Sequence, residues 1–119
     1  MKIISFEGIE GVGKSTQISL LKEYLESKKY LVEIYREPGS TITGEKIRDI
    51  LLNNSSQLSD KAELLLMFAA RAELINQKIN KSKADFILVD SFYDASIAYQ
   101  GYGRNLSKTF INELTLFIE

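Results

Sequence analysis

The sequence predicts an α/β fold built on a parallel sheet. Short apolar runs suited to strands alternate with longer stretches of helical periodicity. A glycine-rich loop closes the first apolar run and leads straight into a helical pattern, where α/β sheets present their ligand sites. The run Phe86 to Val89 is unbroken in its hydrophobicity, as a strand covered on both faces must be.

Taken in order, Lys2 to Phe6 forms the first predicted strand and ends at Glu7 and Gly8. A helix over Ser15 to Lys28 places Ile18, Leu21 and Leu25 on one face, with Leu20 and Tyr24 beside them. The alternation of Leu31 to Tyr35 predicts a second strand. A short helix over about Gly44 to Leu52 carries Ile47, Ile50 and Leu51. Ser59 and Asp60 can cap a longer one that runs to about Lys81, with Leu64, Phe68, Ile75 and Ile79 among its apolar positions. The third strand, Phe86 to Val89, ends at Asp90. A last helix begins at Ser107 and carries Phe110, Ile111, Leu114, Phe117 and Ile118. The seven glycines fall into three clusters, Gly8, Gly11 and Gly13, then Gly39 and Gly44, then Gly101 and Gly103, and none is expected to interrupt a helix. The final helical pattern reaches Glu119 without a Gly, Asn or Pro stop, and three strands make a thin sheet. The expectation is therefore the N-terminal part of a longer protein.

Composition narrows the chemistry. A chain of 119 residues suits one domain, and 45% hydrophobic with 26% charged residues is the balance of a globular protein rather than a disordered one. No apolar run approaches the roughly 20 residues that span a bilayer. The absence of cysteine excludes disulfides, zinc–thiolate sites and thiol catalysis, and the absence of histidine removes imidazole acid–base chemistry. Fifteen basic against 16 acidic side chains give a net charge of −1, which offers no support for a nucleic-acid or membrane partner. The N-terminal apolar stretch is too short for a signal peptide, so the cytoplasm is the expected location.

Gly8, Ile9, Glu10, Gly11, Val12, Gly13, Lys14 and Ser15 match G-x-x-x-x-G-K-[ST] in full, with a strand before and an amphipathic helix after. Glycines let successive backbone N–H groups turn toward phosphate oxygens, and the first turn of the helix, through Thr16, adds its own. Lys14 supplies a mobile positive charge for the β- and γ-phosphates, and the Ser15 hydroxyl is a hard oxygen suited to Mg²⁺. A glycine-rich turn without a ligand would match this string by chance in a chain of this length on the order of half a percent of the time or less. The loop announces nucleotide binding without naming the reaction. A GTPase is disfavoured: the nearest string to N-K-x-D is Asn80-Lys81-Ser82-Lys83, and no D-x-x-G is present.

Further segments share the chain with this loop: Arg36-Glu37-Pro38-Gly39-Ser40-Thr41-Ile42-Thr43-Gly44-Glu45-Lys46-Ile47-Arg48, then Glu63 through Arg71, then Asp90 through Gly101, and Tyr102-Gly103-Arg104. With them the sequence closely resembles the thymidylate kinase family, whose usual strings are F-E-G-x-[DE]-G-x-G-K-[ST]-[ST]-Q, R-E-P-G-G-T-x-x-G-E-x-I-R, E-x-L-L-x-x-A-x-R and D-R-[YF]-x-D-S-S-x-A-Y-Q-G. Five motifs in order, over essentially the whole chain, make the resemblance specific. It implies a P-loop NTPase fold, a three-layer αβα sandwich whose five-stranded parallel sheet would be represented here by three strands. Residues 1–119 would form a single kinase domain lacking the mobile lid and the last strands. The implied reaction moves the γ-phosphoryl of Mg-ATP to dTMP, giving ADP and dTDP.

The resemblance also assigns roles. Two polyanions must meet, so cations must line the cleft, and Arg36, Arg48, Arg71 and Arg104 are the candidates beyond Lys14. Arg48 and Arg71 match positions that contact the acceptor nucleotide. Glu10, inside the phosphate loop, approaches the acceptor sugar and the metal-ion shell, and Asp90 orients metal-bound water, although an aspartate at a strand end can be merely a cap. Ser96 and Tyr99 lie beside the deoxyribose and thymine, and Gln100 can offer donor and acceptor to the base. Glu37 and Pro38 belong to the acceptor loop, where the family's bond before proline is often cis. With Gly11 following Glu10, the missing lid would supply the catalytic arginine. The implied assembly is a homodimer formed by helix packing.

Departures from the pattern are informative. Asp-Arg-[Tyr/Phe] becomes Asp90-Ser91-Phe92, so the arginine that grips the acceptor phosphate is missing. Ser40 and Ala95 replace a glycine and a serine, changes expected to be tolerated. Met67 stands where the family places a phenylalanine that stacks on thymine, and Phe68 next to it points about 100° away on a helix. These departures keep two alternatives open, a related deoxynucleoside or nucleoside-monophosphate kinase with another acceptor and a non-catalytic nucleotide-binding module.

Overall fold

The computed structural model of the chain describes residues 1–7, 13–54, 57–91 and 108–119. Among them the elements run β1 (Lys2–Glu7), α1 (Lys14–Ser27), β2 (Val32–Glu37), α2 (Ile42–Asn54), α3 (Asp60–Leu74), a π-helical turn (Ile75–Ile79), β3 (Phe86–Ser91) and α4 (Lys108–Ile118). The three strands form one parallel sheet in the order β1-β3-β2, with β3 at its centre. The α/β architecture and parallel sheet agree with expectation.

Side chains of successive strand residues leave a sheet on opposite faces, and here the two faces have separate cores. Ile4 and Phe6 of β1, Val32 of β2 and Phe86 and Leu88 of β3 pack with Ile18, Leu21 and Leu25 of α1. Tyr35, Ile87 and Val89 pack with Ala84 and Ile79 on the other face. Ile87, Leu88 and Val89 are thus fully buried from both sides, which is why this run is continuously apolar rather than alternating. Outside the second face, Ile47 and Leu51 of α2 meet Ala70 of α3, flanked by Leu58, Leu66 and Met67. Leu114 and Ile118 of α4 pack on Leu64 and Phe68 of α3.

Of the expected caps, Ser59 is in place and Ser107 lies outside the described residues. The Ser59 hydroxyl accepts a hydrogen bond from the Ala62 amide at 3.1 Å and starts α3. Thr41 does the same for α2, accepting from the Gly44 amide at 2.8 Å.

Several expectations need correction. The helix expected to reach Lys81 is α-helical only to Leu74, and the π turn that follows rephases the chain so that Ile79 reaches the sheet. Gly44 lies inside α2, in its first turn, where an added Cβ would stand 2.7 Å from both the Gly39 carbonyl oxygen and the Thr41 hydroxyl. Leu20 and Tyr24 are exposed rather than part of the buried face of α1, and so is Phe117 of α4. Each strand continues past its last apolar residue, to Glu7, Glu37 and Ser91, because the carboxyl end of the sheet is polar.

Candidate functional site

The register aligns Phe6, Asp90 and Arg36 in one row and Glu7, Ser91 and Glu37 in the next. The pleat sends the first row toward the α1 face and the second toward the face of the π turn. Asp90 and Ser91, though neighbours, therefore serve opposite sides of the sheet.

On the α1 side, Gly13 holds the position before the helix with φ 78°, a left-handed conformation. An added Cβ there would meet none of the described residues within 4 Å, so among them glycine is required for its backbone and not for space. Lys14 follows as the first residue of α1 and is only 6% exposed. Its ammonium pairs with Asp90 Oδ1 at 2.8 Å and donates to the Ser91 carbonyl oxygen at 2.9 Å. Buried charge of this kind needs such partners. Ser15 and Thr16 stand exposed in the first helical turn. Among the described residues no group of three or more acidic side chains could cage a metal ion. The donors present are instead the sparse set, one hydroxyl and one carboxylate, that suits Mg²⁺ carried by phosphates.

Around the end of β2, the Glu37–Pro38 bond is cis, and Gly39 and Ser40 follow with φ 140° and 66°. Ser40 adopts a left-handed conformation that glycine takes without strain. Its hydroxyl offsets part of the strain by accepting from the Arg36 amide at 2.7 Å and donating to the Arg36 carbonyl at 3.0 Å. Arg48, buried in α2, donates to the Pro38 carbonyl at 3.0 Å. Arg71 of α3 donates through Nε to Glu37 Oε1 and lies over the Phe68 ring, 5.8 Å from its centroid. A cavity of about 490 Å³ opens between β1, β3 and α3, with Glu7, Glu37 and Arg71 at its polar part and Leu74, Ile75, Ile79 and Val89 at its apolar part.

Phe68 is buried against α4 and reaches Arg71 through its ring, whereas Met67 turns toward α2. Arg36 is drawn to Glu45, whose two carboxylate oxygens take its Nε and Nη2. Glu45 Oε2 also accepts from the Ser40 amide at 2.7 Å. The Arg36 hydrogen bonds, the Ser40 amide and the charges of Arg36 and Arg48 hold the Glu45 carboxyl below its ordinary 4.5, against an opposing effect of burial. Glu45 was not singled out from sequence, although its place in the motif nine residues after Arg36 was in view. Gly8, Ile9, Glu10, Gly11 and Val12 of the phosphate loop, together with Ser96, Tyr99, Gln100 and Arg104, lie outside the described residues.

Comparison with known proteins bears on the family and the fold. A family model described as thymidylate kinase matches residues 6–118. The chain is 49% identical over 116 residues to a thymidylate kinase of Thermosipho africanus, covering 96% of this chain and 58% of that protein. The corresponding figures for a thymidylate kinase of Thermosipho melanesiensis are 51% over 116 residues, 96% and 57%. The chain thus spans less than two thirds of the length of these curated relatives. A crystal structure of thymidylate kinase from Ehrlichia chaffeensis superposes with a TM-score of 0.80 at 38% identity, covering 99% of this chain and 68% of that one. A P-loop NTPase fold, an ordered set of nucleotide motifs and a match across nearly every residue converge, and the chain belongs to the thymidylate kinase family.

Proposed function

We propose that this chain forms the N-terminal part of a single P-loop kinase domain that transfers the γ-phosphoryl group of Mg-ATP to the 5′-phosphate of dTMP. The observation that carries the reading is the division of cations between two faces at one sheet end. Lys14 serves the α1 side, while Arg48 and Arg71 gather around the end of β2.

In this reading ATP lies along residues 8–16, with its β- and γ-phosphates drawn to the Lys14 ammonium in place of Asp90. Ser15 and Asp90 hold Mg²⁺, which supplies charge neutralisation on the phosphate oxygens when bound. Arg48 and Arg71 bind the acceptor, with Arg36, Glu37, Met67, Phe68, Ser96, Tyr99 and Gln100 around it. Glu10 stands between the two ligands. Bringing two polyanions into line is chiefly a matter of positioning and electrostatics, and buried or clamped arginines provide both. The location that fits is the cytoplasm and the assembly a homodimer, with no nucleic acid as partner. Among the described residues no helix is long and apolar enough to cross a membrane.

Ser91 favours a second reading. It stands between Glu7 and Glu37 where the family places an arginine, so the acceptor phosphate loses a cation. Another nucleoside monophosphate, or nucleotide binding without turnover, would follow. The test is incubation of the chain and of its Ser91→Arg variant with Mg-ATP and a panel of nucleoside monophosphates, with diphosphate products read directly. Preferential formation of dTDP over other diphosphates, even at low turnover, supports the reading. Preference for a different acceptor would replace the reading with a kinase of another monophosphate, and ATP binding without product from either protein would remove the claim that these 119 residues are by themselves an enzyme.

A further inference from the structure

The loop that joins β2 to α2 is wrapped around one carboxylate. Glu45 receives two donors from Arg36 and one from the Ser40 amide. A Cβ at Gly39, whose φ is 140°, would run into Glu45 Oε2, so the backbone closes over the carboxylate and a side chain there would have to displace it. The same loop is held from its other side by Arg48, which donates to the Pro38 carbonyl. Exposed ion pairs usually contribute little, but a two-pronged arginine–carboxylate contact joined to a backbone amide is the exception.

We propose that Glu45 is a positioning residue for the acceptor site. It engages Arg36 and the Ser40 amide, fixes the loop from Pro38 to Thr41, and so sets where Arg48 is held for an acceptor phosphate. Arg36 then acts through Glu45 as a brace and not as a phosphate ligand. The proposal rests on the acceptor reading above.

The sign of one substitution separates positioning from simple electrostatics. A carboxylate near a phosphate repels it, so Glu45→Gln would tighten dTMP binding if charge alone mattered. If Glu45 positions the loop, the same change weakens dTMP binding. Calorimetric titration of the full 119-residue chain with dTMP, and separately with Mg-ATP, distinguishes these. The expected result is about tenfold weaker dTMP binding in Glu45→Gln, Mg-ATP binding unchanged within twofold, and a double variant with Arg36→Met no weaker than either single one. Unchanged or tighter dTMP binding would overturn the proposal. So would equal loss of both ligands together with a lowered melting temperature, which marks a general structural role. If the unmodified chain binds no dTMP, the acceptor reading fails, and the brace is judged by trypsin cleavage of the Arg36–Glu37 bond. Cleavage at least fivefold faster in Glu45→Gln supports it, and equal rates reject it.

Discussion

Lys14 and Asp90 meet at 2.8 Å across the carboxyl end of the sheet, joining the first residue of α1 to the central strand. The lysine is buried and the aspartate 34% exposed, so the carboxylate is the solvent-facing member of the pair. Replacing Asp90 by Asn should lower stability by about 2 kcal/mol, because a buried ammonium loses its charged partner. Magnesium-free ATP should then raise the melting temperature of Asp90→Asn by more than it raises that of the unmodified chain, since phosphate oxygens replace the missing carboxylate and no metal contact is involved. Thermal unfolding with and without nucleotide checks both statements.

Arg71 is held by Glu37 on one side and the Phe68 ring on the other. Arg71→Lys keeps the charge but loses the planar fork and its stacking. Titration with dTMP should show binding about tenfold weaker, equivalent to about 1.4 kcal/mol, with Mg-ATP binding unaffected.

Two groups predict how stability follows pH. Burial, then the hydrogen bond and charge of Glu33, pushes Tyr35 from 10.0 up to about 12. A raised value means that the folded chain keeps its proton after the unfolded chain has lost it. The contribution of Tyr35 is therefore complete below pH 10 and is lost between pH 10 and about 12. Tyr35→Phe should flatten that part of the profile. Glu45 is shifted the other way, chiefly by its hydrogen bonds with Arg36. Its contribution is present above pH 4.5 and is lost as the pH falls below that value, and Glu45→Gln should remove this acid-side loss. Denaturant unfolding across the pH range, variant against parent, measures both.

Much of the fold was legible because periodicity reports burial. Ile18 and Leu25, Ile47 and Leu51, and the run Ile87 to Val89 all lie in the core where their spacing places them. What escaped was set by longer-range packing. Nothing local to Ile75–Ile79 announces a π turn, which answers to the distance between α3 and the sheet. Leu20 and Tyr24 sit at helical spacing beside Leu21 and Leu25 yet remain exposed, because the described elements offer no surface to cover them. At the site, Lys14, Arg48 and Arg71 were readable from motifs. The role of Glu45 was not, because it depends on a loop folding back around its carboxylate.

In the described residues β1 pairs with β3 along one edge, and Ile3 is 51% exposed. An apolar edge strand recruits other strands. At high concentration the chain should self-associate through β1, and Ile3→Lys should shift the population toward monomer. Light scattering after size-exclusion chromatography at several loading concentrations would detect this, and concentration-independent monomer for the parent would contradict it.

Asp90 and Ser91 belong to consecutive rows of the sheet, one aligned with Arg36 and the other with Glu37. The central strand therefore works as a parity device: even positions face α1, and odd positions face the side of the π turn. A single residue inserted into β3 ahead of Asp90 would leave every motif in the sequence recognisable. It would nonetheless exchange the sides that Asp90 and Ser91 face, separating Lys14 from its carboxylate. For this chain, a tolerated change in loop length and an intolerable change in strand length differ by one peptide unit and its handed alternation.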